Sequence, residues 1–523
     1  MTTVQYKRPA GPGKFIEALP PDEKQILAEL KRFIEWFEGS AEFRDHCRAS
    51  SISSFWIDKL NSLGVRNDVI FPMSELKGSQ EIHFIEKRIL DPEDDLGEIY
   101  DNIDELETNP ILRLYFKFTL LKHRSSTMHF DWSLNRFDGD STYFKWRKRR
   151  IRAVRSELGW YGHGIDHPTF SIELGIGCTV GCTFCAFDAQ THQTNFDYSV
   201  AENRELFKSV AHALKRIIGD GSGGGMLYYA TEPNDNPNYI DFLQDWYDIT
   251  EYKLCTSTAR YDLKWIEDLT KFYSTPEPTP WPRISVLSPH CMEKIHNHFK
   301  PIDFIYPWIL AQSIEMEDER MKVPGGREKY GMKRLETLKD ARNSLTAESV
   351  DYSIIPQGSI ACVTGFKINM VNKTITATSP CYTSYKWSHG YRDYGTVSFS
   401  TPESVYPAFI KLIESVMTEE FDPSSIFAWR DDLDFRVLDD GFVLVSPYLF
   451  HTFRGTAYYT ALGNILSSCN GCSFGEIRDL ILKQVEKSDY YTTTVFLQRF
   501  YNSGFTDEVV SASIQQSILQ AVS

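Results

Sequence analysis

Residues 170–187 read FSIELGIGCTVGCTFCAF, and the reading of this stretch decides the rest. Its first part is a short apolar run of the kind that forms a buried strand. Its second part places Cys178, Cys182 and Cys185 in a CxxxCxxC group immediately afterwards. Three thiolates on one short loop are soft ligands, suited to an iron-sulfur cluster and less well to zinc. A zinc site normally takes a fourth ligand from a second paired Cys or His motif, and no further CxxC or HxxxH pair lies nearby. With three ligands, one iron of a cubane keeps an open coordination site. A cofactor with an amino and a carboxylate group can chelate that iron, be reduced through the cluster and break to give a carbon radical.

Downstream, the same texture continues from about residue 168. The β-type runs FSIELGIGC, MLYYATEP, YKLCTSTA, RISVLSPH, FIYPWILAQS and DYSIIPQGSIACV are separated by helical patterns. Six strands alternating with helices imply a parallel sheet. The segment ENRELFKSVAHALKRIIG carries Leu206, Val210, Leu214 and Ile217 at helical spacing and ends in the Gly-rich GDGSGGG, which makes one βαβ unit. In parallel α/β barrels the chemistry gathers at the C-terminal ends of the strands. Beyond the sixth run, FKINMVNKTITATS predicts a hairpin turning at Asn372 and Lys373, and ESVYPAFIKLIESVM predicts a helix. FRVLDDGFVLVSPYL predicts a second hairpin turning near Asp440 and Gly441, and the remainder is expected to be helical.

Upstream, to about residue 160, PDEKQILAELKRFIEWFEG and TYFKWRKRRIRAVRSELGW are helical patterns without a catalytic motif, and an all-helical accessory domain is expected. The basic run KWRKRRIRAVR is expected to be a solvated helix face rather than a nucleic-acid arm.

A chain of 523 residues exceeds one hydrophobic core, so about two to four domains are expected. Hydrophobic residues at 42% and charged residues at 24% are ordinary for a soluble globular protein. The net charge of -15 argues against a bulk preference for nucleic acid or anionic membranes. The N-terminal sequence lacks an apolar signal region, no apolar run approaches a membrane span, and the ten cysteines read as thiols or metal ligands; a cytoplasmic protein is expected.

The cysteine group, with Phe184 directly before its last member, resembles the signature of the radical S-adenosylmethionine (SAM) superfamily. The resemblance covers about 170–360. It implies a 4Fe-4S cluster on Cys178, Cys182 and Cys185, with Phe184 beside the adenine of SAM. Ala230-Thr231-Glu232-Pro233 looks like a variant of the family's GGEP motif, which holds the methionyl amino group; both glycines are replaced, while Glu232 and Pro233 remain. Ser257, Arg260 and Ser288 are the corresponding candidates for contacts to the ribose and carboxylate. The implied fold is α/β: a partial (β/α)6 TIM-type barrel at 161–360, a helical N-terminal domain at 1–160, a post-barrel hairpin and helical linker at 361–424, and a winged-helix domain at 425–523.

That last segment carries a hairpin, a helix, the turn Ser468-Cys469-Asn470-Gly471 and a Ser before a second amphipathic helix. It resembles the RiPP recognition element, which binds the leader of a ribosomally made, post-translationally modified peptide as an added strand. Its candidate recognition helix has few Lys or Arg residues, which speaks against DNA.

The region GSIACVTGFKINMVNKTITATSPCYTSYKWSHGYRDYG is similar to its equivalent in peptide epimerases of the polytheonamide type. The resemblance implies conversion of L- to D-residues in a precursor peptide: Cα hydrogen abstraction by a 5'-deoxyadenosyl radical, hydrogen return from Cys362 or Cys381, and an external electron donor. The alternative is a crosslinking or thioether-forming enzyme whose auxiliary cluster would use Cys362, Cys381, Cys469 and Cys472.

Overall fold

The computed structural model describes residues 12–49, 52–78, 109–121, 141–159, 165–182, 185–274, 282–312, 327, 362–382, 386–417, 422–430, 432–446 and 449–506. The protein is mixed α/β, with several sheets and no closed barrel among the described residues. Two compact units divide the chain, each from two stretches: Met1–Asn135 with Glu232–Glu319, and Arg136–Thr231 with Arg320–Ser523. Among the described residues, no helix is long and apolar enough to cross a membrane.

In the first unit, the helix Pro21–Gly39 starts with Pro at its first turn and with Asp22 and Glu23 facing the positive end of its dipole. Its apolar stripe of Leu27, Leu30, Phe33 and Trp36 is buried in a core shared with Met292, Ile295, Phe304 and Ile309. Each such side chain stabilises by about 1.5–3 kcal/mol when fully buried. One polar inclusion sits in this core, where Glu35 accepts from Lys31 Nζ at 2.5 Å and bonds His296 Nε2 at 2.9 Å. The short strands Ser257–Thr258, Arg283–Val286 and Trp308–Ala311 pair in parallel in that order, as expected from the β-type runs.

In the second unit, Phe170–Glu173 pairs in parallel with Gly365–Asn369, which continues antiparallel through Thr374–Pro380 to Tyr391–Ser398. The hairpin expected beyond the last β run is therefore joined to the first strand, and it turns where Lys373 takes φ 54°. Gly365 (φ 153°) permits that junction: a Cβ there would lie 1.9 Å from the Thr169 carbonyl oxygen. Of the run MLYYATEP only Met226 bridges the sheet, beside Ser171. The segment 351–361 of the sixth expected run lies outside the described residues.

Register gives this sheet two unlike faces. Phe170, Ile172, Phe366, Ile368, Ile375 and Ala377 share one face, which is covered by the helices Ser141–Leu158 and Pro402–Val416 through Tyr143 and Phe409. Ser171, Glu173, Lys367, Asn369 and Thr376 share the other. The polar side is itself largely covered, with Ser171, Glu173 and Thr376 buried and Lys367 and Asn369 half-buried, so the sheet is packed on both sides with unlike chemistry on each. The helix Ala201–Ile218 forms as its periodicity predicts, burying Leu206, Val210, Leu214 and Ile217, and the Gly-rich stretch after it is a 3-10 turn.

One expectation holds only in part in the helix Ser141–Leu158. Its basic run is only in part a solvated face: Lys145, Lys148 and Arg152 are exposed, whereas Arg147, Arg149 and Arg150 are each 1% exposed. Arg147 donates to the carbonyl oxygens of Thr364, at 3.0 Å, and of His167; Arg150 donates to the Tyr394 hydroxyl at 3.2 Å, and Arg149 stacks over the Tyr501 ring at 4.3 Å. Distant carbonyls and rings solvate these cations in place of water, which sequence spacing does not reveal.

Toward the C-terminus, Asp434–Leu438 and Gly441–Val445 form the second expected hairpin. The rest is not wholly helical, since Phe450–Arg454 adds a third antiparallel strand before the helices Ala457–Ser468, Phe474–Gln484 and Tyr490–Asn502. Phe442, Leu444, Leu462, Leu466, Ile477 and Phe500 form their common core.

Candidate functional site

The cysteine loop leaves the C-terminal end of the strand Phe170–Glu173. Gly175–Ile176 first pairs antiparallel with Thr194–Asn195, and the chain then bends at Gly177, whose φ is 79°. A Cβ on Gly177 would lie 2.3 Å from the Thr191 carbonyl oxygen, so glycine is required on both counts. Cys178 N–H donates to the Gln190 carbonyl at 2.9 Å, Val180 N–H points at Cys178 Sγ at 3.4 Å, and Cys185 N–H bonds the Cys182 carbonyl at 3.3 Å.

All three thiols are partly exposed. Soft donors of one kind, on one loop and reachable from solvent, with an amide aimed at a sulfur, are a donor set that fits a thiolate-bound iron-sulfur cluster. Among the described residues, no three His, Cys, Asp or Glu groups are drawn together as an ion-holding set. Phe184 lies outside the described residues.

Arg327, for which the sequence offered no signal, grips this loop. Its Nη1 donates to the Cys182 carbonyl at 2.9 Å, its Nη2 to the Ala189 carbonyl at 2.5 Å and its Nε to Asp188 at 3.1 Å, while its backbone N–H donates to the Cys185 carbonyl at 2.9 Å.

On the polar face of the neighbouring sheet, Glu173 accepts from Ala230 N–H at 2.9 Å and from Asn369 Nδ2 at 3.1 Å, and burial pushes its carboxyl above the usual range. The first of these bonds ties the strand end to the start of the Ala230-Thr231-Glu232-Pro233 motif. Lys367 pairs with Asp393 at 3.1 Å and lies over the rings of Tyr391 and Tyr229, at 4.8 and 5.9 Å. Tyr229 packs against Phe187 at 4.0 Å and Tyr391 at 6.0 Å. Among the described residues its buried hydroxyl has no hydrogen-bond partner, and its pKa is pushed well above 10, chiefly by burial and secondarily by Tyr391, Asp393, Cys362 and Glu173.

The two candidate donor thiols differ in setting. Cys362 is partly buried and is among the groups that act on Tyr229. Cys381 is 0% exposed, with its N–H bonded to the Gly390 carbonyl at 2.9 Å.

The remaining sequence candidates belong to the other compact unit. Glu232 is buried, accepts from Asn234 N–H at 3.1 Å, Ala259 N–H at 3.0 Å and the Thr258 hydroxyl, and burial raises its pKa. Pro233 opens the 3-10 turn that Glu232 caps. Ser257 is a partly buried residue of the strand Ser257–Thr258. Arg260 pairs with Asp235 at 3.0 Å and is 43% exposed. Ser288 caps the helix Pro289–His298, accepting from Cys291 N–H at 3.3 Å. Glu232, Thr258, Arg260 and Asp235 thus form one polar group following a parallel strand, whereas Ser288 has a structural task of its own.

The chain is 29% identical over 464 residues to an uncharacterized protein, y4wI, of Sinorhizobium fredii, covering 86% of this chain and 82% of the relative. No protein-family model matches the chain, and no solved structure does.

Proposed function

We propose that the protein is a radical SAM enzyme that epimerises residues of a ribosomally synthesised precursor peptide. The observation that carries this reading is the loop of Cys178, Cys182 and Cys185, leaving the end of a buried strand beside a polar sheet face. A 4Fe-4S cluster with SAM, when bound, supplies the one-electron chemistry that generates a carbon radical able to take a Cα hydrogen.

The chain's own residues supply position and protons. Cys178, Cys182 and Cys185 would hold the cluster, and Phe184, Glu232, Pro233, Ser257, Arg260 and Ser288 are the proposed contacts to SAM. Glu232 is already held by two backbone N–H groups and the Thr258 hydroxyl, so its carboxylate is fixed in place before any amino group arrives. Cys362 is the proposed hydrogen donor in preference to Cys381, because Cys362 is partly exposed and Cys381 is sealed.

The remaining readings of the resemblance belong to the same proposal: a partial (β/α)6 barrel in 161–360, a helical accessory region before it, and a winged-helix module in 425–523 that binds the leader. Two features support the module. Phe450–Arg454 is an edge strand of a three-stranded sheet, and Phe450 on it is 73% exposed. Cys469 lies in the core beneath that sheet, where burial pushes its thiol up to about 11, a setting that favours packing over cluster ligation. An external one-electron donor in the cytoplasm completes the scheme.

Turnover of the precursor in deuterium oxide tests the reaction. Epimerisation adds one deuterium at each modified Cα with no other change in mass; a loss of two mass units assigns crosslinking instead and refutes the epimerase.

A further inference from the structure

Arg327 makes four hydrogen bonds to the stretch between Cys182 and Ala189, three from its guanidinium and one from its backbone. The loop's own bonds there are long: Cys185 N–H to the Cys182 carbonyl at 3.3 Å, and Asp188 N–H to the Cys185 carbonyl at 3.4 Å. Asp188 also sits at φ 47°, in the left-handed region that residues with a side chain adopt infrequently, Asp more readily than most. A guanidinium is a planar fork of donors, able to serve two carbonyls and a carboxylate at once, which a single ammonium cannot do in fixed geometry. The same cation carries a permanent positive charge and is bonded through Nη1 to the carbonyl oxygen of Cys182, on the backbone of one of the three cysteines. The Arg327 side chain is 29% exposed and Asp188 45%, so their ion pair is solvent-screened and contributes little by itself; the carbonyl bonds are what fix the loop.

We propose that Arg327 is a positioning residue that clamps the cysteine loop from outside, setting the placement of Cys182 and Cys185 and lending positive charge to the group they bind. This rests on the cluster reading only for its second half, since the clamp itself is a property of the polypeptide.

The full-length R327A and R327K variants separate the two roles. In the cluster-free chain, amide hydrogen exchange of the peptide covering 182–190, followed by mass spectrometry, should be about ten-fold faster or more in both variants, because each carbonyl bond contributes roughly 1 kcal/mol. Unchanged exchange in that peptide overturns the clamp. After anaerobic reconstitution with iron and sulfide, iron loss to a chelator should be about 10–100-fold faster in both variants, the usual cost of losing a supporting contact to a metal ligand. The midpoint potential should fall in R327A and hold in R327K, which keeps the charge; the same potential in all three proteins overturns the electrostatic half. A wild-type chain that retains no iron refutes the cluster reading, and the exchange experiment then still decides the clamp.

Discussion

Gly177→Ala offers a local test of how the cysteine loop is built. The new methyl group would sit 2.3 Å from the Thr191 carbonyl oxygen and 2.7 Å from that of Gln190, both backbone atoms that cannot rotate away. Holding an L-residue at φ 79° costs about 1–2 kcal/mol. Moving the 190–191 backbone aside also stretches the 2.9 Å bond from Cys178 N–H to Gln190, worth about 0.5–1.5 kcal/mol. Together these oppose the native loop by about 2–3 kcal/mol, a roughly 30–150-fold shift toward displaced conformations. Gly181→Ala is the control: its φ is 63°, but a Cβ there meets nothing within 4 Å among the described residues, so backbone strain is the cost that applies. Anaerobic reconstitution followed by iron analysis should find Gly177→Ala depleted well beyond Gly181→Ala, with circular dichroism unchanged in both. Equal iron in the two variants refutes the argument that the Gly177–Thr191 contact shapes the loop.

Three further outcomes follow from other parts of the molecule. Cys362→Ala should abolish deuterium incorporation into the peptide while SAM cleavage continues, whereas Cys381→Ala should lower the melting temperature and spare incorporation; the reverse pattern reassigns the donor. His296 is held neutral by burial, with its pKa lowered to about 4, so the unfolded chain takes up a proton below about pH 6.5 that the folded chain refuses until about 4. Stability should therefore decline as pH falls through that window and decline less in His296→Gln, as read by urea unfolding; parallel curves for the two proteins contradict this. Arg147→Ala leaves the buried carbonyls of Thr364 and His167 without their donor and should cost about 2–4 kcal/mol, while substitution of exposed Lys148 stays within about 0.5 kcal/mol.

Local periodicity made much of the fold legible. The helices at 21–39, 201–218 and 402–416 carry apolar stripes with their own start signals, and both hairpins turn where Asn, Asp and Gly permit it. What stayed hidden depends on partners far away in sequence. Phe450–Arg454, FHTFR, carries too little apolar character to announce a strand and is one because Gly441–Val445 pairs with it. The guanidiniums of 147, 149 and 150 look like a wet face until the carbonyls and rings that receive them are in place. The same holds for the site. The three cysteines are legible because their ligand spacing lies within eight residues, whereas Arg327, about 140 residues on, becomes meaningful only when its fork meets that loop. Lys367, Asp393, Tyr229 and Tyr391 are likewise ordinary polar residues of separate strands and turns until the sheet assembles them on one face.

The proposed chemistry depends on Cys178, Cys182 and Cys185 holding an iron-sulfur cluster. Iron and acid-labile sulfide counted per chain after anaerobic reconstitution, in the wild type and in the variant with all three cysteines changed to Ala, test it directly. The wild type should hold about four of each and the variant none; an iron-free wild type, or a variant that loads as fully, contradicts a cluster on these cysteines.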